Sequence, residues 1–224
     1  MITYMKGITV IRIFLNFSLE CVYNRNTMVS KSDLAYPDTW YSCFFGYVLY
    51  FERNAMRKLA LSDEILMKVD KAARYIGGEV NSVMKDKNDV DIRFAMCFPD
   101  VYEIGMSNLG MMILYNMFNE REDVWCERVF SPWMDLDKIM REEHIPLFAL
   151  ESQEPVKEFD FLGITLGYEM CYTNVLQVLD LSHVSLLAKD RKEDDPIVIG
   201  GGACAYNPEP IAEFFDMFYI GEGE

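Results

Sequence analysis

From Ile92 onward, apolar runs too short for helices take turns with stretches whose apolar residues recur at helical spacing, and few folds accept that alternation. The runs are Ile92–Phe98, Val124–Val129, Leu147–Leu150, Phe161–Leu166, Ile197–Ile199 and Met217–Ile220. Between them the spacing predicts a helix to about Asn119 with Leu109, Met112, Ile113 and Met117 inward. A second helix carries Leu136, Ile139 and Met140, and a third, over 173–181, carries Val175, Val178 and Leu179. A short helical turn is expected at Val156–Phe159, and Asn207-Pro208 opens a last helix with Ile211, Phe214 and Phe215 inward. Parallel neighbours need crossover connections, and the natural crossover is a helix. The expected fold is therefore α/β, a doubly wound, Rossmann-like sheet with flavodoxin-like order, mostly parallel, of about five or six strands with helices on both faces.

Upstream, Ser62-Asp63-Glu64 offers a capping hydroxyl and first-turn carboxylates to a helix with Ile65, Val69, Ala72 and Ala73 on one face, ending at Gly77-Gly78. Residues 79–90 are polar and turn-like, so 56–90 is an N-terminal helix and linker before a domain at 91–224. Residues 1–55 differ in kind: aromatics crowd them, no period is sustained, and five Lys or Arg meet four Asp or Glu. They are expected to be a poorly structured extension lying before the true start at Met56-Arg57-Lys58.

The formal charge of -15 leaves no basic footprint for nucleic acid or for an anionic membrane surface. The apolar runs Ile8–Tyr23 and Cys43–Phe51 fall short of the ~20 residues that span a bilayer, and Arg12 and Asn16 interrupt the first. No small-x-small cleavage site follows Lys6, so a cytoplasmic chain is expected. The six cysteines stand without CxxC or CxxxCxxC spacing, which argues for free thiols and against a locally built zinc or iron-sulfur site.

In an open doubly wound sheet, ligands sit outside the carboxyl ends of the strands, where strand order reverses. The loops there are 100–110, 166–174, 200–207 and 221–224, all rich in glycine or polar residues. Gly105 and Gly110 permit close backbone approach, and a helix opening near Ser107 would aim free amides at a phosphate or amide tail. Gly200, Gly201 and Gly202 follow a buried strand and would let a flat ligand lie on main chain. Thr165, Tyr168 and Glu169 close the neighbouring strand.

At these loops the chain resembles the cobalamin-binding domain that stands before the barrel of radical S-adenosylmethionine (SAM) proteins. The resemblance rests on Cys97–Gly110, Phe148–Ser152, Ile197–Pro210 and Ile220–Glu224 taken together, and it covers 56–224. It implies a cobalamin ligand touching the loop residues above, with Gly221-Glu222-Gly223-Glu224 joining the domain to its barrel. The barrel would be the partner in cis, and SAM and a 4Fe-4S cluster would be held only there, by a CxxxCxxC this chain lacks. Alone, such a domain is expected to be noncatalytic. One departure stands out: where cobalamin domains read DxHxxG, here the frame is Asp100-x-Tyr102-x-x-Gly105, and a phenol is a poor neutral cobalt ligand. Two alternatives therefore stand beside the cofactor reading. One is an interaction module that keeps the fold and has lost the ligand. The other is a nucleotide-binding Rossmann domain, for which no GxGxxG is present.

Overall fold

The computed structural model describes residues 59–221 and Gly223, together with three short strands nearer the amino terminus. Those strands, β1 (Ile2–Met5), β2 (Ile8–Ile11) and β3 (Cys21–Tyr23), pair antiparallel in the order β1-β2-β3, where periodicity predicts no element. They belong to a unit of their own, Met1–Arg53, separate from the unit Asn54–Glu224. The expected start at Met56 lies outside the described residues.

The second unit is built on five parallel strands: β4 (Ile92–Phe98), β5 (Val124–Phe130), β6 (Phe161–Thr165), β7 (Ile197–Gly201) and β8 (Met217–Tyr219). Their order is β5-β4-β6-β7-β8. Counted from β4, that is the 2-1-3-4-5 arrangement of the flavodoxin-like folds, and the order reverses between β4 and β6. The helices are α1 (Asp63–Leu66), α2 (Tyr102–Met106), α3 (Leu109–Asn119), α4 (Met134–Glu143) and α5 (Tyr172–Leu181).

Side chains alternate along the strands between two faces, both of them buried at β4 and β5. On one, Ala95, Cys97, Val129, Leu162, Ile164 and Val198 meet Leu136 and Met140 of α4, Val175, Val178 and Leu179 of α5, and Ile65, Val69 and Tyr75. On the other, Met96, Phe98 and Cys126 meet Met111 and Tyr115 of α3. Helices thus lie on both faces, but the second cover is partial. Beyond the α3 footprint, β6 and β7 bury every second residue only, β8 has just Phe218 half-buried, and Ile197, Met217 and Tyr219 stay exposed.

Four expectations from periodicity need correction. The helix begun at Ser62 stops after one turn: Lys68 N–H donates to Ile65 O in a tighter turn, and Asp70 N–H donates to Asp135 Oδ2 at 2.8 Å, outside any helical ladder. A 3-10 turn at Ala72–Arg74 follows, and Gly77 and Gly78 take positive φ. Leu147–Leu150 is buried but forms only an isolated bridge, Phe148 with Pro155: its backbone bonds go singly to Leu181, Val156, Glu154, Gln153 and Arg128. The inward stripe of α3 is Met111 and Tyr115, leaving Leu109 exposed. After Pro208 the chain winds as a 3-10 helix, Glu209–Phe214, with Ile211 and Phe215 buried.

The outer edge of β5 is closed by side chains. Asn119 donates to Cys126 O and accepts from Cys126 N. Arg128 N donates to Glu151 Oε2 while Arg128 O accepts from Leu150 N. Lys85 Nζ reaches Val124 O.

Candidate functional site

In a parallel sheet every strand points the same way, so the segments after β4, β6, β7 and β8 leave from one rim. At the reversal point the first two are latched together. Asp100, just beyond β4, accepts from Val101 N through Oδ1 (2.7 Å) and from the Tyr168 hydroxyl through Oδ2 (2.7 Å). Asn174, in the first turn of α5, donates to Pro99 O at 2.9 Å, and Asp100 O accepts from Ser131 N. Tyr168 is 42% exposed, and its hydrogen bond to Asp100 raises the phenol above its ordinary pKa by stabilising the protonated form. Asn174 escapes the sequence reading because an amide in a helix carries no spacing signal.

The three glycines after β7 do three different things. A Cβ at Gly200 would fall 2.8 Å from the Phe218 ring and 3.1 Å from Leu166, so that glycine serves packing. Gly202, at φ +104, makes the turn itself, with its missing Cβ 2.9 Å from Leu166 O. Gly201 faces open space: a Cβ there meets nothing within 4 Å, and the same holds at Gly167 beyond β6. Thr165 lies beside Gly201 in register and is half-buried, and Glu169 is exposed at the start of the 3-10 turn Glu169–Cys171. Gly167, missed from sequence because a lone glycine after a strand reads as a turn, thus joins Gly201 as open floor.

The residues of the first loop turn elsewhere. The Tyr102 hydroxyl donates to Glu79 Oε1 at 3.0 Å, its ring stands edge-on to Phe130, and burial beside that carboxylate pushes its pKa up to about 12. Gly105 lies under Phe130, where a Cβ would be 2.2 Å from Cε1. Ser107 closes α2, its hydroxyl donating to Ile104 O. The amides opening α3 are met by Asn108, which accepts from Met111 N, so the expected helix start near Ser107 moves to Leu109. Gly110 is exposed in the first turn of α3. Glu222 lies outside the described residues.

Behind the rim a buried ionic cluster fastens the segment 79–85. The fully buried Arg128 guanidinium donates from Nε to Glu151 Oε1 (2.6 Å) and from Nη2 to Ser82 Oγ (2.9 Å), and lies 4.6 Å over the Tyr115 ring. Desolvation pushes Glu151 up to about 7 against the pull of Arg128. A cavity at the end of β5, lined by Arg74, Tyr75, Tyr102, Arg128 and Ser131 among others, has room for about one water and no cofactor.

Cys97, Cys126, Cys171 and Cys204 are free thiols, and burial raises the pKa of the first three. Among the described residues no group of three or more His, Cys, Asp or Glu side chains is placed to hold a metal ion. The donor set therefore does not fit an iron-sulfur cluster. The main chain at Gly167 and Gly201 is open where a Cβ would stand. Among the described residues no helix is long and apolar enough to cross a membrane.

A doubly wound domain with an open rim at its switch point belongs to a broad class. Comparison narrows it: the family described as radical SAM proteins, N-terminal, matches residues 110–224, just over half of the chain. The chain belongs to that family. It is also 29% identical over 133 residues to an uncharacterized protein of Methanocaldococcus jannaschii, a match that takes in 58% of this chain and 24% of the relative. The chain thus spans about a quarter of the length of that relative. No solved structure matches it.

Proposed function

We propose that residues 91–224 form the cofactor-presenting part of a radical SAM protein and hold a cobalamin-type ligand over the rim of β4, β6 and β7. The observation that carries this reading is the paired opening at Gly167 and Gly201, beside a strand-order reversal where such folds take ligands. Gly167 and Gly201 would lie under the flat ring, the Thr165 hydroxyl and Gly202 would meet its amide fringe, and the Asp100–Tyr168 latch would border it. Bound cobalamin would supply a cobalt centre able to carry a methyl group. Tyr102, which stands where cobalamin domains carry a histidine, is engaged with Glu79 and would not serve the cobalt. In this reading the domain is noncatalytic by itself. SAM and the 4Fe-4S cluster belong to a barrel in cis, and the work is to present the cofactor or to shape the chamber over that barrel. A cytoplasmic setting suits the free thiols.

The test is direct. The 224-residue chain, mixed with hydroxocobalamin and desalted, should keep a visible chromophore, and Gly201→Val should discharge it by filling the open floor. A colourless wild-type protein refutes the cofactor reading. It would favour the second reading, an interaction module, which the engagement of Tyr102 supports. The nucleotide-binding alternative gains nothing, because the first strand leads into the short helix α2 where a glycine-rich phosphate loop would be needed.

A further inference from the structure

Residues 79–85 run against β5 and α3 as a strap fastened by side chains. Among the described residues the backbone–backbone bond this segment makes is with itself, Ser82 N–H to Glu79 O. Its ties to the sheet and to α3 run through single groups. Val83 N–H donates to the Tyr115 hydroxyl (2.7 Å), Trp125 Nε1 donates to Val83 O (3.0 Å), and Arg128 Nη2 donates to Ser82 Oγ (2.9 Å). Gly77 and Gly78, both at positive φ, stand just before the strap, and a turn closed by Asp89 N–H to Asp86 O stands just after it. A segment without ladder bonds, set between a glycine hinge and a turn, can open locally while the sheet stays folded.

The fastening has an unequal charge count. The buried Arg128 guanidinium faces two carboxylates: fully buried Glu151 at 2.6 Å, and Glu79 of the strap, 13% exposed, at 3.5 Å. With Glu151 protonated, Arg128 is left to Glu79, which also accepts from the Tyr102 hydroxyl (3.0 Å) and from Ser82 Oγ (3.2 Å), and the strap is held. With Glu151 ionised, two anions share one cation in a buried site, and Glu79 is the one with a path to water. The other groups around Glu151 do not restore the balance. Glu127 of β5 is paired with Arg93, and burial pushes the Cys126 thiol and the Tyr115 phenol up, so both stay neutral. Lys85, at the far end of the strap, is turned to the Val124 carbonyl. We propose that 79–85 is a pH-gated strap, closed while Glu151 holds a proton and opening at Glu79 when Glu151 ionises, which frees the Tyr102 hydroxyl on the loop after β4. Burial, which lifts Glu151 to about 7, puts the change near neutral pH. The device needs no ligand at the glycine floor and stands apart from the cofactor reading.

Hydrogen exchange of the 224-residue chain tests it, read by mass spectrometry on the peptide covering 79–85 and corrected for the intrinsic pH dependence of amide exchange. From about pH 6 to about pH 8, opening of this peptide should become on the order of tenfold more frequent, the weight of one charge-assisted hydrogen bond, while α5 keeps its protection. Glu151→Gln keeps an acceptor for Arg128 but cannot ionise, and should hold the strap slow at both pH values. Glu79→Gln should make it fast at both. Should either variant fail to fold, the wild-type comparison of the strap with α5 still decides. Equal corrected exchange of the wild-type strap at the two pH values overturns the proposal. So does a pH response that survives Glu151→Gln, or one that α5 shares equally, since the opening is then global.

Discussion

Alanine at Gly105 and at Gly201 should separate packing from binding. At Gly105 the new methyl would sit 2.2 Å from Phe130 Cε1, 2.5 Å from Cδ1 and 3.1 Å from Phe98 Cβ. Ordinary carbon contacts are about 3.5–4.0 Å, so the ring would have to move by more than an ångström. Phe130 has little room to do so, because Tyr102 stands edge-on to it with centroids 5.5 Å apart. Overpacking of this kind costs about 1–3 kcal/mol, and the closeness of the overlap places Gly105→Ala near the upper end. Removing a glycine from α2 returns about 1 kcal/mol, which leaves a net loss of about 2 kcal/mol. With a urea slope of about 2 kcal/mol/M the denaturation midpoint should fall by about 1 M, read from tryptophan fluorescence. Gly201→Ala meets nothing and should stay within about 0.5 kcal/mol of wild type, yet lower cobalamin retention. Gly105→Ala with an unchanged midpoint and lost cobalamin would refute the reasoning, because Gly105 would then face the ligand.

Three further outcomes follow from the buried charges and the latch. Arg128→Met strands the buried Glu151 carboxylate and should cost about 3–5 kcal/mol, while the added change Glu151→Leu should recover much of the loss; urea midpoints of the single and double variants check this. Glu151 is pushed up from 4.5 to about 7, so between those values the folded state holds a proton that the unfolded chain releases. Its contribution is therefore full below 4.5 and is lost as pH rises through about 7, and Glu151→Gln should flatten that part of the midpoint-against-pH curve even though it lowers the curve as a whole. Tyr168→Phe removes one half-exposed hydrogen bond to Asp100 and should cost under about 1 kcal/mol, but amide exchange over 166–171 should quicken severalfold.

Strand and helix order could be read from the chain because parallel strands buried on one or both faces stay apolar, as in Ile92–Phe98, and because the Leu136, Ile139, Met140 stripe has the helical period. The reading failed where tertiary bonds outbid local pattern. Leu147–Leu150 looks like a strand, but its amides and carbonyls serve five different partners. The stretch after the helix from Ser62 gives its Asp70 amide to a carboxylate 65 residues away instead of to a helical carbonyl. In the rim, glycines announced themselves but not their separate tasks: packing at Gly200 and Gly105, turning at Gly202, openness at Gly201. Whether a glycine is tight or open depends on what lies across from it, such as Phe218 or Phe130, and no local motif encodes that. The positions of Tyr102 and Tyr168 are legible in the sequence, but their acceptors, Glu79 and Asp100, are not, since both contacts join distant segments.

The two margins of the sheet differ in a way that governs self-association. At β5 the side chains of Asn119, Glu151 and Lys85, with Leu150 N–H, already answer the outward amides and carbonyls of Cys126 and Arg128 and the Val124 carbonyl, so an incoming strand would find nothing to pair with. At the opposite margin stands β8, three residues long and flanked by Ile220. Within this sheet, among the described residues, strand addition has its opening at that margin rather than at β5. A proline or lysine placed there is accordingly the economical guard against fibrils.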